Sequence, residues 1–194
     1  MNVLAIDTSG SHLTVIILKG DEVFGECLSN CGLQHSVTLM PLIEKTLIDA
    51  DLQINDIDAF ACVTGPGSFT GIRIGVSTAK AFAHAFSKKV LPLTTFEVIT
   101  YNKKSDKILA LIDAKHDNYY AQLFNGVIAN GAPTFSSFDS LLKYQSEYEF
   151  VYLTDCDLKN CLINAVKDKI SNATFDIESL VPLYVRKSQA EESL

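Results

Sequence analysis

Glycine stops at position 131, and residues 132–194 contain none. Such a stretch has no cheap route to a turn that needs positive φ or close backbone approach, so it is not expected to supply a nucleotide-binding loop. Clustered base is also missing. The densest group is Lys103, Lys104 and Lys107 in a chain of net charge −7, whereas a protein that grips nucleic acid by itself needs a positive face to release counterions. The five cysteines, Cys27, Cys31, Cys62, Cys156 and Cys161, are odd in number and form no CxxC pair, which points to reduced structural thiols rather than to disulfides or a metal. The opening residues reach an acid at Asp7 and have no basic flank. A signal peptide or membrane span is therefore not expected there, and the cytoplasm is the expected compartment. His12, His35, His84 and His116 are scattered without ligand spacing. No GxSxG nucleophile turn is present.

What is there is enough for a core. With 194 residues, 47% of them hydrophobic, the chain can bury roughly two-thirds of its unfolded surface as one large domain or two small lobes. Residues 3–6, 13–18 and 23–28 are apolar or β-branched runs separated by turn formers, which predicts a meander. An amphipathic helix is expected over 36–50, with Val37, Met40, Ile43 and Leu47 on one face and Pro41 either bending it or near its first turn. Residues 57–63 read as a buried strand, 69–86 as a second helix, 90–93 as a strand and 97–101 as a short helical piece. After a polar linker at 102–106 the pattern restarts, with a strand at 108–112, a turn at 113–118 and a strand at 119–124. Asp7 and Asp113 each end an apolar run, so the chain reads as duplicated α/β lobes, 1–102 and 103–194. The last eight residues are polar and expected to fray.

The most informative run is TGPGSFTGIRIG at 64–75, a glycine-dense turn feeding a helix. A helix start carries unpaired N–H groups and suits an anion. The run lacks the spacing and the lysine of a Walker loop, and a turn with Ser68 or Thr70 as N-cap is the plainer reading. Gly71, Gly75, Ala79 and Ala83 leave one bare ridge along the helix. Each interior glycine costs roughly 0.5–1 kcal/mol against alanine, so something packs closely on that ridge, either the parent sheet or a partner. Asp7, Thr8, Ser9 and Ser11 are candidates for a weak phosphate contact, although hydroxyls and an aspartate are also what any tight strand turn uses.

Together these features resemble the TsaB (YeaZ) family of bacterial tRNA threonylcarbamoyladenosine biosynthesis proteins. The likeness is carried by IDTSGS at 6–11, a degraded HSxxLxP at 35–41, GPGSFTGIRIGVSTAKA at 65–81 and PLYVR at 182–186. The resemblance implies an α/β fold of the actin, sugar kinase and Hsp70 (ASKHA) type, with a shortened second lobe. It also implies a non-catalytic subunit that pairs with the catalytic paralogue TsaD and the ATPase TsaE to place threonylcarbamoyl on adenosine 37 of tRNAs reading ANN codons. Such a subunit meets tRNA only through the complex, forms a homodimer when alone and has no cofactor of its own. ATP is then used by partner subunits and a metal is held by the paralogue, whose His-x-x-x-His pair falls here on Thr95 and Ile99. Ile99 has no lone pair to donate.

The same resemblance places partner contacts on two helices. On the first, the candidates are His35, Val37, Met40, Ile43, Glu44 and Leu47. On the second they are Phe69, Gly71, Ile74, Gly75, Thr78 and Phe82. Two other readings stay open at this stage: an ATP-dependent phosphotransferase of the same fold, and a homodimeric binding module. Against the phosphotransferase, VYLTDCD at 151–157 offers carboxylates where a nucleotide wants small residues.

Overall fold

The computed structural model describes residues 1–31 and 34–186. The expectation that the last eight residues fray lies outside the described residues. The first sheet contains β1 (Asn2–Asp7), β2 (Leu13–Lys19), β3 (Glu22–Leu28), β4 (Ala59–Val63) and β5 (Lys89–Leu93), in the order β3-β2-β1-β4-β5. The meander is antiparallel, and β1, β4 and β5 run parallel. Strands β1 and β4 are apolar with almost no alternation because both sheet faces are covered.

The two faces divide the strand residues by the two-residue period of the pleat. Leu4, Ile6, Val15, Ile17, Phe60 and Cys62 pack under α1 (His35–Asp49) and α2 (Phe69–Phe86). Val3, Ala5, Ile16, Ala59, Ala61 and Val63 pack on the other side, against α3 (Thr95–Ile99) and α5 (Leu158–Lys169). Each large side chain buried here contributes about 1.5–3 kcal/mol. Phe60, fully buried and stacked on Phe82 with ring centroids 5.5 Å apart, is the change most able to open this core.

The second sheet repeats the plan in shorter form. Strands β6 (Lys107–Asp113), β7 (Asn118–Asn125), β8 (Ile128–Ala129), β9 (Thr134–Ser137) and β10 (Glu149–Tyr152) take the order β10-β6-β7-β8, with β9 also on β7. Like β1, β6 has one antiparallel partner, β7, and one parallel partner, β10. The expected duplication is thus visible as topology, and Asp7 and Asp113 close equivalent strands. The fold is α/β of the ASKHA type, and among the described residues the second half has no counterpart of β5. After the short helix α4 (Phe138–Leu141) and β10, α5 leaves its own sheet and buries Cys161, Leu162, Ala165 and Val166 against the first. No described helix is long and apolar enough to cross a membrane.

One sequence reading needs correction. In α1 the buried side is Leu39, Leu42, Ile43 and Thr46, while Val37 and Met40 point outward, so the four apolar residues expected on one face are split between two. Pro41 sits in the second turn, and Val37, whose carbonyl it leaves unserved, is exposed. The left-handed backbone of the second half lies before its glycine-free stretch, at Lys115, His116 and Asp117, with φ of 69°, 54° and 57°, and among the described residues past Gly131 none has positive φ.

Candidate functional site

The end of β1, the turn after it and the starts of α1 and α2 meet at one point. Asp7 is 1% exposed and receives His12 Nε2 on Oδ2 at 2.9 Å and the Ser9 backbone N–H on Oδ1 at 2.8 Å. Burial alone pushes the Asp7 carboxyl up, but the charge and hydrogen bond of His12, with hydrogen bonding from Ser9, outweigh it and hold the group below the usual aspartate value. Burial likewise pulls His12 down, and Asp7 overrides this to hold the imidazole above its usual value. The two directions agree on a buried carboxylate–imidazolium pair.

The neighbours of that pair are committed too, except the Ser9 hydroxyl, which is buried on the cleft side without a hydrogen-bond partner. Thr8 Oγ1 donates to the Gly71 carbonyl at 2.7 Å, and the His12 carbonyl lies 2.9 Å from His35 Nε2. Ser68 caps α2, accepting the Gly71 N–H at 3.2 Å, and its own N–H donates to the Ser9 carbonyl at 2.6 Å. A Cβ at Gly71 would strike the Thr8 carbonyl, and one at Gly75 would strike the Thr8 hydroxyl. The bare ridge therefore lies on the parent sheet, and of its two readings the intramolecular one holds. Of the four phosphate candidates, Asp7, Thr8 and Ser9 are buried, and Ser11 is exposed. A cleft of about 740 Å³ separates this turn from the second sheet, with Gly10, Ser11 and Ser68 on one wall and Asp113, Lys115 and Tyr119 on the other. All five cysteines are free thiols.

The helical candidates divide sharply by exposure. His35, Ile43, Gly71 and Gly75 are buried inside the chain and cannot form a surface as they stand, because each packs on the first sheet or its turn. Val37 is 69% exposed and Met40 50%, with Glu44 exposed beside them. Leu47, Ile74, Thr78 and Phe82 are half-buried, and Phe69 is exposed at the start of α2. Sequence reasoning missed Ile48, 71% exposed and in line with Val37, Met40 and Glu44 at helical spacing. It also missed His12, whose signal was an aspartate five residues before a histidine across a Ser-Gly-Ser turn.

Comparison with known proteins fits this geometry. The family model described as TsaD, tRNA N6-adenosine threonylcarbamoyltransferase, matches residues 29–151. The Bacillus subtilis tRNA threonylcarbamoyladenosine biosynthesis protein TsaB is 32% identical over 138 residues, covering 69% of this chain and 60% of that protein. The Escherichia coli protein of the same name is 29% identical over 124 residues, 62% of this chain and 53% of its own length. In these alignments the chain spans about 60% or less of the curated TsaB relatives. Among solved structures, YeaZ from Pseudomonas aeruginosa superposes with a TM-score of 0.75 at 20% identity, covering 94% of this chain and 99% of that one. A second Pseudomonas aeruginosa structure, described as similar to the peptidase YeaZ, reaches 0.80 at 21% identity, covering 95% and 99%. Motif, topology and these likenesses converge: the chain belongs to the TsaB (YeaZ) family.

Proposed function

We propose that this chain serves tRNA threonylcarbamoyladenosine biosynthesis as a non-catalytic subunit. It docks through the outer faces of α1 and α2 onto the catalytic paralogue TsaD, works with the ATPase TsaE, and forms a homodimer through the same faces when alone. In this reading residues 1–102 are the docking lobe and 103–194 the shortened second lobe. ATP and metal belong to the partner subunits, and tRNA is met only through the complex.

The observation that carries the reading is the exposed apolar line Val37, Met40 and Ile48 on α1. A helix that buries Leu39, Leu42 and Ile43 on one side and exposes three large apolar residues on another has a second face to cover. Methionine suits a surface that takes two different partners. Support against a kinase role comes from the β1–β2 turn, where Asp7 and Thr8 spend their polar atoms on His12, Ser9 and Gly71.

The test is a mixture of the chain with the TsaD-type protein of the same organism, sized by light scattering. Met40→Glu and Val37→Glu are expected to abolish the mixed complex while the circular dichroism melt stays unchanged, both side chains being exposed. Ile74→Asp is the poorer probe because Ile74 packs partly against the first core. A complex that survives both charge insertions sinks the assignment of this face. Nucleotide turnover by the isolated chain sinks the non-catalytic reading.

A further inference from the structure

One surface arginine is held far more firmly than its exposure requires. The Arg73 guanidinium carbon lies 3.8 Å from the centroid of the Phe69 ring, one helical turn earlier on α2. Its Nε donates to the Tyr184 hydroxyl at 2.9 Å, across 111 positions of sequence. The Phe69 and Tyr184 rings themselves meet at 4.8 Å between centroids. All three residues are exposed, Phe69 at 39% and Tyr184 at 41%.

Holding a long side chain in one place costs rotamer entropy, and here a stacked ring and a hydrogen bond meet that cost within the chain. Nε is the one donor that this arrangement spends. The four terminal N–H bonds remain on a fork whose plane is fixed, and among the described residues no carboxylate pairs with it. A planar fork of this kind matches a carboxylate in two parallel hydrogen bonds, and arginine flanked by aromatic rings is the composition of an interface anchor. The chain carries net charge −7, and the fixed guanidinium near the start of α2 is a local positive exception to that field, to which an acidic group of a partner is drawn at short range.

We propose that Arg73, pre-set by Phe69 and Tyr184, is a specificity anchor that takes a carboxylate side chain of the partner subunit in a bidentate pair. The inference rests on the docking reading above and adds the chemistry of one contact to it. A carboxylate on a protein is favoured over a nucleic-acid phosphate, because no cluster of basic residues surrounds the site to follow a phosphate backbone.

Calorimetric titration of the wild-type chain, Arg73→Met and Arg73→Lys against the TsaD-type protein of the same organism, at low and high salt, tests it. Arg73→Met should bind about ten- to a hundredfold more weakly, with a flatter dependence on salt than wild type. Arg73→Lys should recover only part of the loss, since it restores charge without the fork. Tyr184→Phe, which keeps the ring and removes the hydrogen bond, should cost less than Arg73→Met. Wild-type binding that Arg73→Met leaves unchanged, or weakens with the same salt dependence, overturns the inference while leaving the docking reading intact. Absence of any wild-type complex overturns both. Binding of a single-stranded RNA oligonucleotide that is lost with Arg73→Met overturns the choice of a carboxylate.

Discussion

Asp7 and Asp113 close equivalent strands and begin with the same local chemistry. In each, one carboxylate oxygen accepts the backbone N–H two residues on, from Ser9 at 2.8 Å and from Lys115 at 2.7 Å. In each, the second oxygen meets a cation, His12 at 2.9 Å and Lys115 Nζ at 2.9 Å. The surroundings then separate them. The first pair is sealed under α1 and α2, with side-chain exposures of 1% and 8%, whereas the second sits on the rim of the cleft at 50% and 78%. The same turn is thus a structural clasp in one half and a solvated ornament in the other, because only the first half lays a helix across it.

The largest test of that contrast is removal of each carboxylate. Asp7→Ala leaves a buried imidazole without its counter-ion and should cost about 3–5 kcal/mol in urea unfolding. Asp113→Ala should change stability by less than about 1 kcal/mol, its partner being free to find water. Equal losses at the two positions would end the distinction.

The pH dependence sharpens it. The raised value of His12 contributes stability that is fully present below its unfolded pKa, about 6.5, and is lost as pH rises through the folded value. The depressed value of Asp7 contributes stability that is present above its unfolded pKa, about 4, and is lost as pH falls through the folded value. The urea midpoint of the wild-type chain should therefore be highest between about pH 4 and about pH 6.5 and decline on either side. His12→Gln should remove the decline on the alkaline side. An alkaline limb retained in that variant would assign the titration to another group.

How far the sequence alone reaches follows the same physics. Strands β1 to β3 and the whole of α2, Phe69–Phe86, were legible because runs of apolar residues between turn formers, and a helix opened by Gly-Pro-Gly-Ser, are local signals. The facing of α1 was not, because apolar residues lie on both of its sides and periodicity cannot say which side meets the sheet. Helix α5, Leu158–Lys169, was not read at all, and its crossing to the first sheet is a long-range packing choice that no local pattern encodes. The Asp7–His12 pair and the Arg73–Tyr184 contact depend on turn geometry and on a separation of 111 residues, neither of which a local pattern encodes. Gly71 and Gly75 were readable as a close approach but not as an approach to Thr8.

That approach gives the next prediction in size. An alanine at Gly75 improves helix propensity by about 1 kcal/mol but drives its methyl into the Thr8 hydroxyl. Overpacking of this kind costs typically 1–3 kcal/mol, so the net change should be a loss. A Gly75→Ala variant melting at or above the wild-type temperature would mean that α2 can shift off the turn and that the clasp is soft.

The smallest effect belongs to the unclasped half. His116 holds φ of 54° on an exposed turn between Lys115 and Asp117. A non-glycine residue in that region carries about 1–2 kcal/mol of strain, and glycine relieves it at a cost of about 0.5–1 kcal/mol in unfolded-state entropy. His116→Gly should therefore leave thermal stability unchanged or raise it slightly. A drop of more than about 1 kcal/mol would mean that the imidazole itself holds the cleft wall, and the second turn would then count as a working part of the site rather than a relic of the duplication.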